Sequence, residues 1–285
     1  MPYKTPQAIT VAAGTTGATK AALSPPKALM SAFLAGAYIA FGGLVAIMVS
    51  SGLDPKTWGT LPTLFTGAVF ALGLILVVIA GADLLTGNMA LVPMAVMRRQ
   101  TSAAALGLNL TLVLIGNLLG SLFVAYFLAV KSGVLTAELP LARLTTIATG
   151  KAVTETDWQI FLRAVACNWL VCLAVWMALA AEDIAGKVLA IFFPILAFVA
   201  IGFDHVVANM FFLPAAIFAH VDGITWGETL KNWVFAFLGN FVGAGVFVAG
   251  FYFYLYGREP APEERAMRAT DRSSDAETGP AFTQA

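Results

Sequence analysis

Charge is what this chain has least of. Only 11% of its residues are charged, with 16 Lys and Arg against 16 Asp and Glu, while 59% are hydrophobic. Ordinary soluble domains carry roughly 25% charged residues, so a mean hydropathy of +0.84 excludes a soluble globule. The formal net charge of zero says little about partners, and no nucleic-acid partner is expected. Cysteine and histidine are equally sparse, at two each. Cys167 and Cys172 lie five positions apart in one apolar stretch and share no helix face well, which argues against a disulfide or a metal site. With no Walker-type loop and no cluster of metal ligands, neither nucleotide, metal nor other cofactor is expected.

What is abundant is uninterrupted apolar sequence. Stretches of spanning length lie near 28–50, 62–97, 103–131, 158–181, 188–219 and 230–257, and one crossing needs about 20 residues. The second and fifth are far longer, as expected of two half-helices joined by a break. The chain is therefore read as an all-α membrane protein with six transmembrane helices, of which helices 2 and 5 are broken. Ten Lys and Arg fall on the side of the N-terminus and six on the other, with the Arg98–Arg99 pair among the ten. That bias predicts a multi-pass protein of the cell membrane with both termini cytoplasmic. Residues 1–27 read as a short cytoplasmic segment along the membrane surface, 28–257 as the transmembrane channel domain, and the polar 258–285 as a disordered cytoplasmic tail. The first apolar run continues straight into the domain, so it is not read as a cleaved signal.

One segment occurs twice. GADLLTGNMALVP (Gly81–Pro93) returns 121 positions later as GFDHVVANMFFLP (Gly202–Pro214), with Gly, Asp, Asn, Met and Pro at the same offsets. Gly116-Asn117 and Gly120 likewise return as Gly239-Asn240 and Gly243, shifted by 123. Two three-helix units follow, 28–131 and 158–257, and an odd number of crossings makes the second inverted. Matched interruptions in corresponding halves point to a transport site near the bilayer midplane. Freed backbone groups inside lipid cost several kcal/mol each unless they line a cavity or are buried in protein.

The break suggests its own parts. Gly81 and Gly202 can take the angles that end a first half-helix, and Asp83 and Asp204 are expected to cap freed amides. A second half-helix should begin near Asn88 or Asn209, its positive end at the midplane, favouring an anion. His205 has Leu84 as its counterpart, so one titratable ring stands at the centre without a symmetric partner. Phe70, Leu74, Leu84, Leu85, Phe198 and Phe203 surround the breaks and as a set suit hydrophobic constrictions.

Taken together, GADLLTGN, CNWLVCLAVWMA (Cys167–Ala178), GFDHVVANM and the Gly239–Gly243 motif resemble the formate/nitrite transporter family. The resemblance covers about residues 20–257. It implies an aquaporin-like fold, a homopentamer with one pore per subunit, and passage of small monovalent anions such as formate or nitrite, and in some members acetate, with protons. It implies His205 as the central histidine, Thr86 as the threonine facing it, and Asn168 and Asn240 as pore asparagines. It assigns Lys20 to the cytoplasmic vestibule and Lys151 to the outer one, Phe70, Leu74 and Phe198 to the outer constriction, and Leu84 with Leu85 to the inner. Leu85 stands where some formate channels carry Phe, Asp204 where others carry Glu, and Lys151 lies one residue further from Asn168 than the pattern has it. A solvated loop charge remains the other reading of Lys151. The rival functions are a neutral-solute, aquaporin-like channel and an intramembrane enzyme using Asp83, Asp204 and His205. The first lacks its Asn-Pro-Ala pairs and selectivity arginine, the second a nucleophile or metal set.

Overall fold

A computed structural model of the chain describes residues 3–257; the expected tail, 258–285, lies outside them. The described residues are helical, with no strand beyond an isolated Tyr3–Ala181 bridge. Among the described residues, six helices are long and apolar enough to cross a bilayer. They are α2 (Pro25–Ser50), α4 (Leu61–Ala80), α6 (Ala103–Phe123) with its π-helical extension to Lys131, α8 (Asp157–Ala180), α9 (Ile184–Ile201), and α11 (Trp226–Ala244), which continues partly π-helical to Gly257. Two 13-residue helices, α5 (Leu85–Met97) and α10 (Val206–Phe218), are the second halves of the broken spans. At 1.5 Å per residue each reaches about 20 Å, too short to cross alone. Three shorter elements complete the order: α1 (Pro6–Ala21) against α5, the single turn α3 (Pro55–Trp58), and α7 (Glu138–Thr149) on the long connection between the units.

The two units are built alike. In each, the third span lies backbone to backbone against the first: a Cβ on Gly120 would sit 2.0 Å from the Phe33 carbonyl oxygen, and one on Gly243 2.2 Å from that of Val165. Only glycine permits that approach. Gly81 (φ +82°) and Gly202 (φ +87°) end α4 and α9 in the left-handed conformation. Just beyond, the amides of Ala82 and Phe203 reach back to the carbonyls of Val77 and Phe198 at 2.9 and 3.0 Å, so both helices are closed by the same device. The result is a pair of inverted three-helix repeats in the aquaporin-like manner, with α5 and α10 almost wholly buried at the centre.

Candidate functional site

The start of each half-helix is capped from a distance. The first amide of α5, on Leu85, donates to Asn117 Oδ1 (2.9 Å), and that of α10, on Val206, to Asn240 Oδ1 (2.9 Å). The same asparagines donate Nδ2 to the carbonyls of Asp83 and Asp204, at 2.9 Å each, and to Ala32 and Ala164, at 2.8 Å each. One amide side chain thus ties the break to the first span of its unit. This corrects two expectations. The half-helices begin at Leu85 and Val206, three residues before Asn88 and Asn209. Asp83 and Asp204 cap no amide: the asparagine of the third span holds the first amide of each half-helix, and the two carboxylates take side-chain donors instead.

The aspartates instead anchor two lysines. Lys20, at the end of α1, meets Asp83 at 2.6 Å, and Lys151 meets Asp204 at 2.8 Å. Asn88 donates to Asp83 (3.3 Å) and Asn109 (3.0 Å), and Asn109 donates to the Lys20 carbonyl (3.1 Å). Across the pseudo-symmetry, Asn209 donates to Asp204 (2.9 Å) and Asn232 (2.8 Å), and Asn232 to the Lys151 carbonyl (3.0 Å). Lys151 is therefore no solvated loop charge. It sits on a π-helical turn, Gly150–Thr154, that follows α7. Such a turn absorbs one inserted residue, which accounts for the long spacing to Asn168. Burial opposes the charge on Lys151, but the Asp204 and Glu155 carboxylates outweigh it and raise its pKa.

At the centre, Thr86 Oγ1 and His205 Nε2 are 2.8 Å apart, both fully or nearly fully buried. His205 also caps α10: its Nδ1 accepts the Ala208 amide at 3.1 Å. Asn168 Nδ2 donates to the carbonyls of Thr86 (3.2 Å) and Asn240 (2.8 Å), joining the start of α5 to α11 through α8. Cys172 donates to the Thr86 carbonyl (3.3 Å), and both cysteines are free and buried.

Two cavities flank this centre, and none of the described residues lines both. The Lys20 vestibule, about 300 Å³, is lined by Lys20, Asp83, Leu74, Leu84, Leu91 and Lys187 among others. The Lys151 vestibule, about 240 Å³, is lined by Lys151, Glu155, Arg143, Phe70, Phe198, Phe212 and His205 among others. Phe70 and Phe198 meet edge to face at 5.8 Å, with Phe198 6.0 Å from the His205 ring. Leu74, expected with these two, opens on the Lys20 side, one helical turn or about 6 Å further along α4. Leu85 lines neither vestibule; it is fully buried and contributes its amide rather than its side chain. A larger, open, apolar groove between α8 and the end of α11 shares Phe203 with the Lys151 vestibule and is otherwise lined by residues of α8 and of the last span.

Sequence reasoning missed Asn109 and Asn232, though they share the offset of 123 that relates Gly116 to Gly239 and were legible from the repeat. It also missed Ser31, which donates to Asp83, and Arg143, Glu155 and Arg163, which line the Lys151 vestibule. None of them recurs as the same residue at the matching position of the other unit, so nothing in the sequence sets them apart from solvated polar residues.

A membrane-spanning, two-unit channel architecture with a polar centre between cationic vestibules is thus what fold and site define. The chain belongs to the formate/nitrite transporter family, whose model matches residues 7–254. It is 48% identical over 259 residues to the uncharacterized transporter YrhG of Bacillus subtilis (91% of this chain, 96% of that protein). It is 47% identical over 248 residues to a probable formate transporter of Methanothermobacter thermautotrophicus (82% and 90%). Among solved structures it matches an FNT family ion channel at TM-score 0.81 and 32% identity, covering 87% of this chain and 98% of that one. It also matches a pentameric formate channel with formate bound, at TM-score 0.71 and 29% identity (82% and 98%). The chain is an anion channel or transporter of this family and not an enzyme.

Proposed function

We propose that this protein passes formate, nitrite or a similar small monovalent anion together with a proton, as a homopentamer in the cell membrane with one path per subunit. Both termini then lie in the cytoplasm, so the Lys20 vestibule opens inward and the Lys151 vestibule outward. The pentamer and the formate rest on what the solved relative binds and how it assembles.

The observation that carries the reading is the buried Thr86–His205 contact, 2.8 Å, set between apolar side chains and two lysine-bearing vestibules. An anion concentrates at a cationic mouth and is drawn inward by the amide ends of α5 and α10. Crossing between Phe70, Phe198, Leu74 and Leu84 as an ion is costly, and a proton removes most of that cost. His205 is named as the group that protonates or polarises the anion, and its geometry favours the second role. With Nδ1 accepting the Ala208 amide, the neutral ring carries its proton on Nε2 and donates it to Thr86. A charged ring needs a second proton on Nδ1 and forfeits the cap. The ring and the Thr86 hydroxyl therefore hold and orient the anion while the proton arrives through water.

Formate and nitrite flux into proteoliposomes, measured from pH 5 to pH 8, tests this. Replacement His205→Phe is expected to reduce flux at every pH by tenfold or more, on the order of 1.4 kcal/mol of lost stabilisation. Wild-type flux retained by that variant overturns the role given to His205. Osmotic swelling in glycerol without anion flux by the wild-type protein overturns the anion reading itself.

A further inference from the structure

Lys20 and Lys151 are each matched by a carboxylate, so neither supplies an uncompensated charge to its vestibule. Among the described residues the cations lining the Lys151 vestibule are Lys151, Arg163 and Arg143, and Arg163 is paired with Glu155. One cation there is left over. We propose that Arg143 of α7 is the docking residue of the Lys151 vestibule, receiving a small planar oxyanion before it meets Phe70 and Phe198. This rests on the anion-conducting reading above and adds a site to it.

Three observations carry the assignment. First, Arg143 lines the vestibule alongside Lys151, Phe70, Phe198 and His205, and among the described residues no carboxylate pairs with it. Second, it is held in place by neutral groups. Its Nε donates to Ser50 Oγ (2.9 Å) and its Nη2 to Thr66 Oγ1 (3.3 Å). Those hydroxyls in turn donate to the helical carbonyls of Ala46 and Pro62, at 2.7 Å each, so they face Arg143 as acceptors. The guanidinium is thereby oriented from two spans without being neutralised, and its Nη1 group makes no hydrogen bond among the described residues. A free fork of this kind suits a carboxylate or nitrite. Burial lowers the pKa of Arg143 from a value high enough that the group stays charged.

Third, the opposite mouth meets the same need by another route. Counting from the repeated glycines, Thr66 of α4 corresponds to Lys187 of α9, each 15 positions before its glycine. Lys187 lines the Lys20 vestibule and has no ion pair among the described residues. Counting from the vestibule lysines, Arg143 corresponds to Ala12, each eight positions earlier. One mouth has its spare cation on the span, and the other has a hydroxyl there that holds a cation from α7. Each vestibule keeps one surplus positive charge at the matching place.

A structural tether between α7 and the ends of α2 and α4 is the competing role for Arg143, and charge separates the two. Formate uptake is measured in proteoliposomes sorted to a single orientation, with the anion added from either side. Arg143→Gln keeps donors for Ser50 and Thr66 but not the charge. It is expected to raise the half-saturating formate concentration about fivefold for entry from the Lys151 side, leaving maximal flux and entry from the Lys20 side unchanged. Arg143→Lys restores most of the loss, and added salt narrows the gap between wild type and Arg143→Gln. Wild-type half-saturation in Arg143→Gln, or equal damage in both variants with a lowered melting temperature, overturns the inference and leaves the channel reading intact. Absence of formate and nitrite flux in the wild-type protein overturns both.

Discussion

The two vestibules share a frame and differ in what fills it. Each has a lysine, an aspartate on the break, an asparagine one turn into the half-helix, and a second asparagine on the third span, joined in the same order. On the Lys20 side the second oxygen of Asp83 takes the Ser31 hydroxyl at 2.8 Å. On the Lys151 side the position of Ser31, one residue before the alanine whose carbonyl the capping asparagine holds, is Arg163. Asp204 Oδ2 and Glu155 Oε2 are both buried there without a hydrogen-bond partner among the described residues. The duplicated frame does what both halves need, which is to satisfy a broken helix. The substituted positions belong to one mouth each, so they are where the two sides of the path acquire different chemistry.

The largest effects should come from breaking the shared frame. Asn117→Leu or Asn240→Leu strands a half-helix amide and the carbonyl of Asp83 or Asp204, at about 1–3 kcal/mol for each buried group. Both variants are expected to melt well below wild type in detergent and to yield little folded protein, by similar amounts. A well-folded Asn117→Leu beside a lost Asn240→Leu would break the equivalence of the units. Next in size are the lysines. Removing one partner of a buried pair costs about 3–5 kcal/mol. Lys151→Met should approach that range, because the Asp204 side chain has 0% exposure and keeps only the Asn209 donor, whereas Lys20→Met leaves Asp83 with Ser31 as well as Asn88. Melting temperatures should fall further for Lys151→Met, and Asp204→Asn in the same chain should recover most of the difference. Equal losses would mean that the two mouths are electrostatically interchangeable.

Fold and frame were legible because repetition is visible in sequence. The offset relating Gly81 to Gly202 located both breaks, and hydropathy located the spans, without any knowledge of packing. The expectation that Asp83 and Asp204 cap the amides failed for a physical reason. Proximity along the chain favours a local carboxylate, but a rigid neighbouring helix presents Asn117 or Asn240 at better geometry and leaves the carboxylate for a lysine. Leu74 was put on the wrong side because sequence gives the spacing of α4 but not where along it the path narrows. Arg143 and Glu155 were illegible for a different reason. They lie in the connection between units, where a charge looks solvated until the fold turns it inward.

The smallest effect is the most specific to one mouth. Burial, helped by the facing Asp204 carboxylate, pushes the pKa of Glu155 up to about 7, against the opposing pull of Lys151 and Arg163. An acid whose folded-state pKa is raised favours the fold while protonated. Its contribution is full below the unfolded value near 4.5 and is lost as pH rises through about 7. The stability of the wild-type protein should therefore fall between pH 5 and pH 8, by on the order of 1 kcal/mol once solvent screening in the vestibule is allowed for, and its melting temperature with it. Glu155→Gln keeps the neutral shape and offers Asp204 an N–H donor, so it should flatten that decline and gain stability at pH 8. Ser31→Ala, which alters the matching contact on the other side, should cost about 1 kcal/mol with no change in pH slope. A slope that survives Glu155→Gln would place the titrating group elsewhere and remove the one pH-sensitive distinction between the mouths.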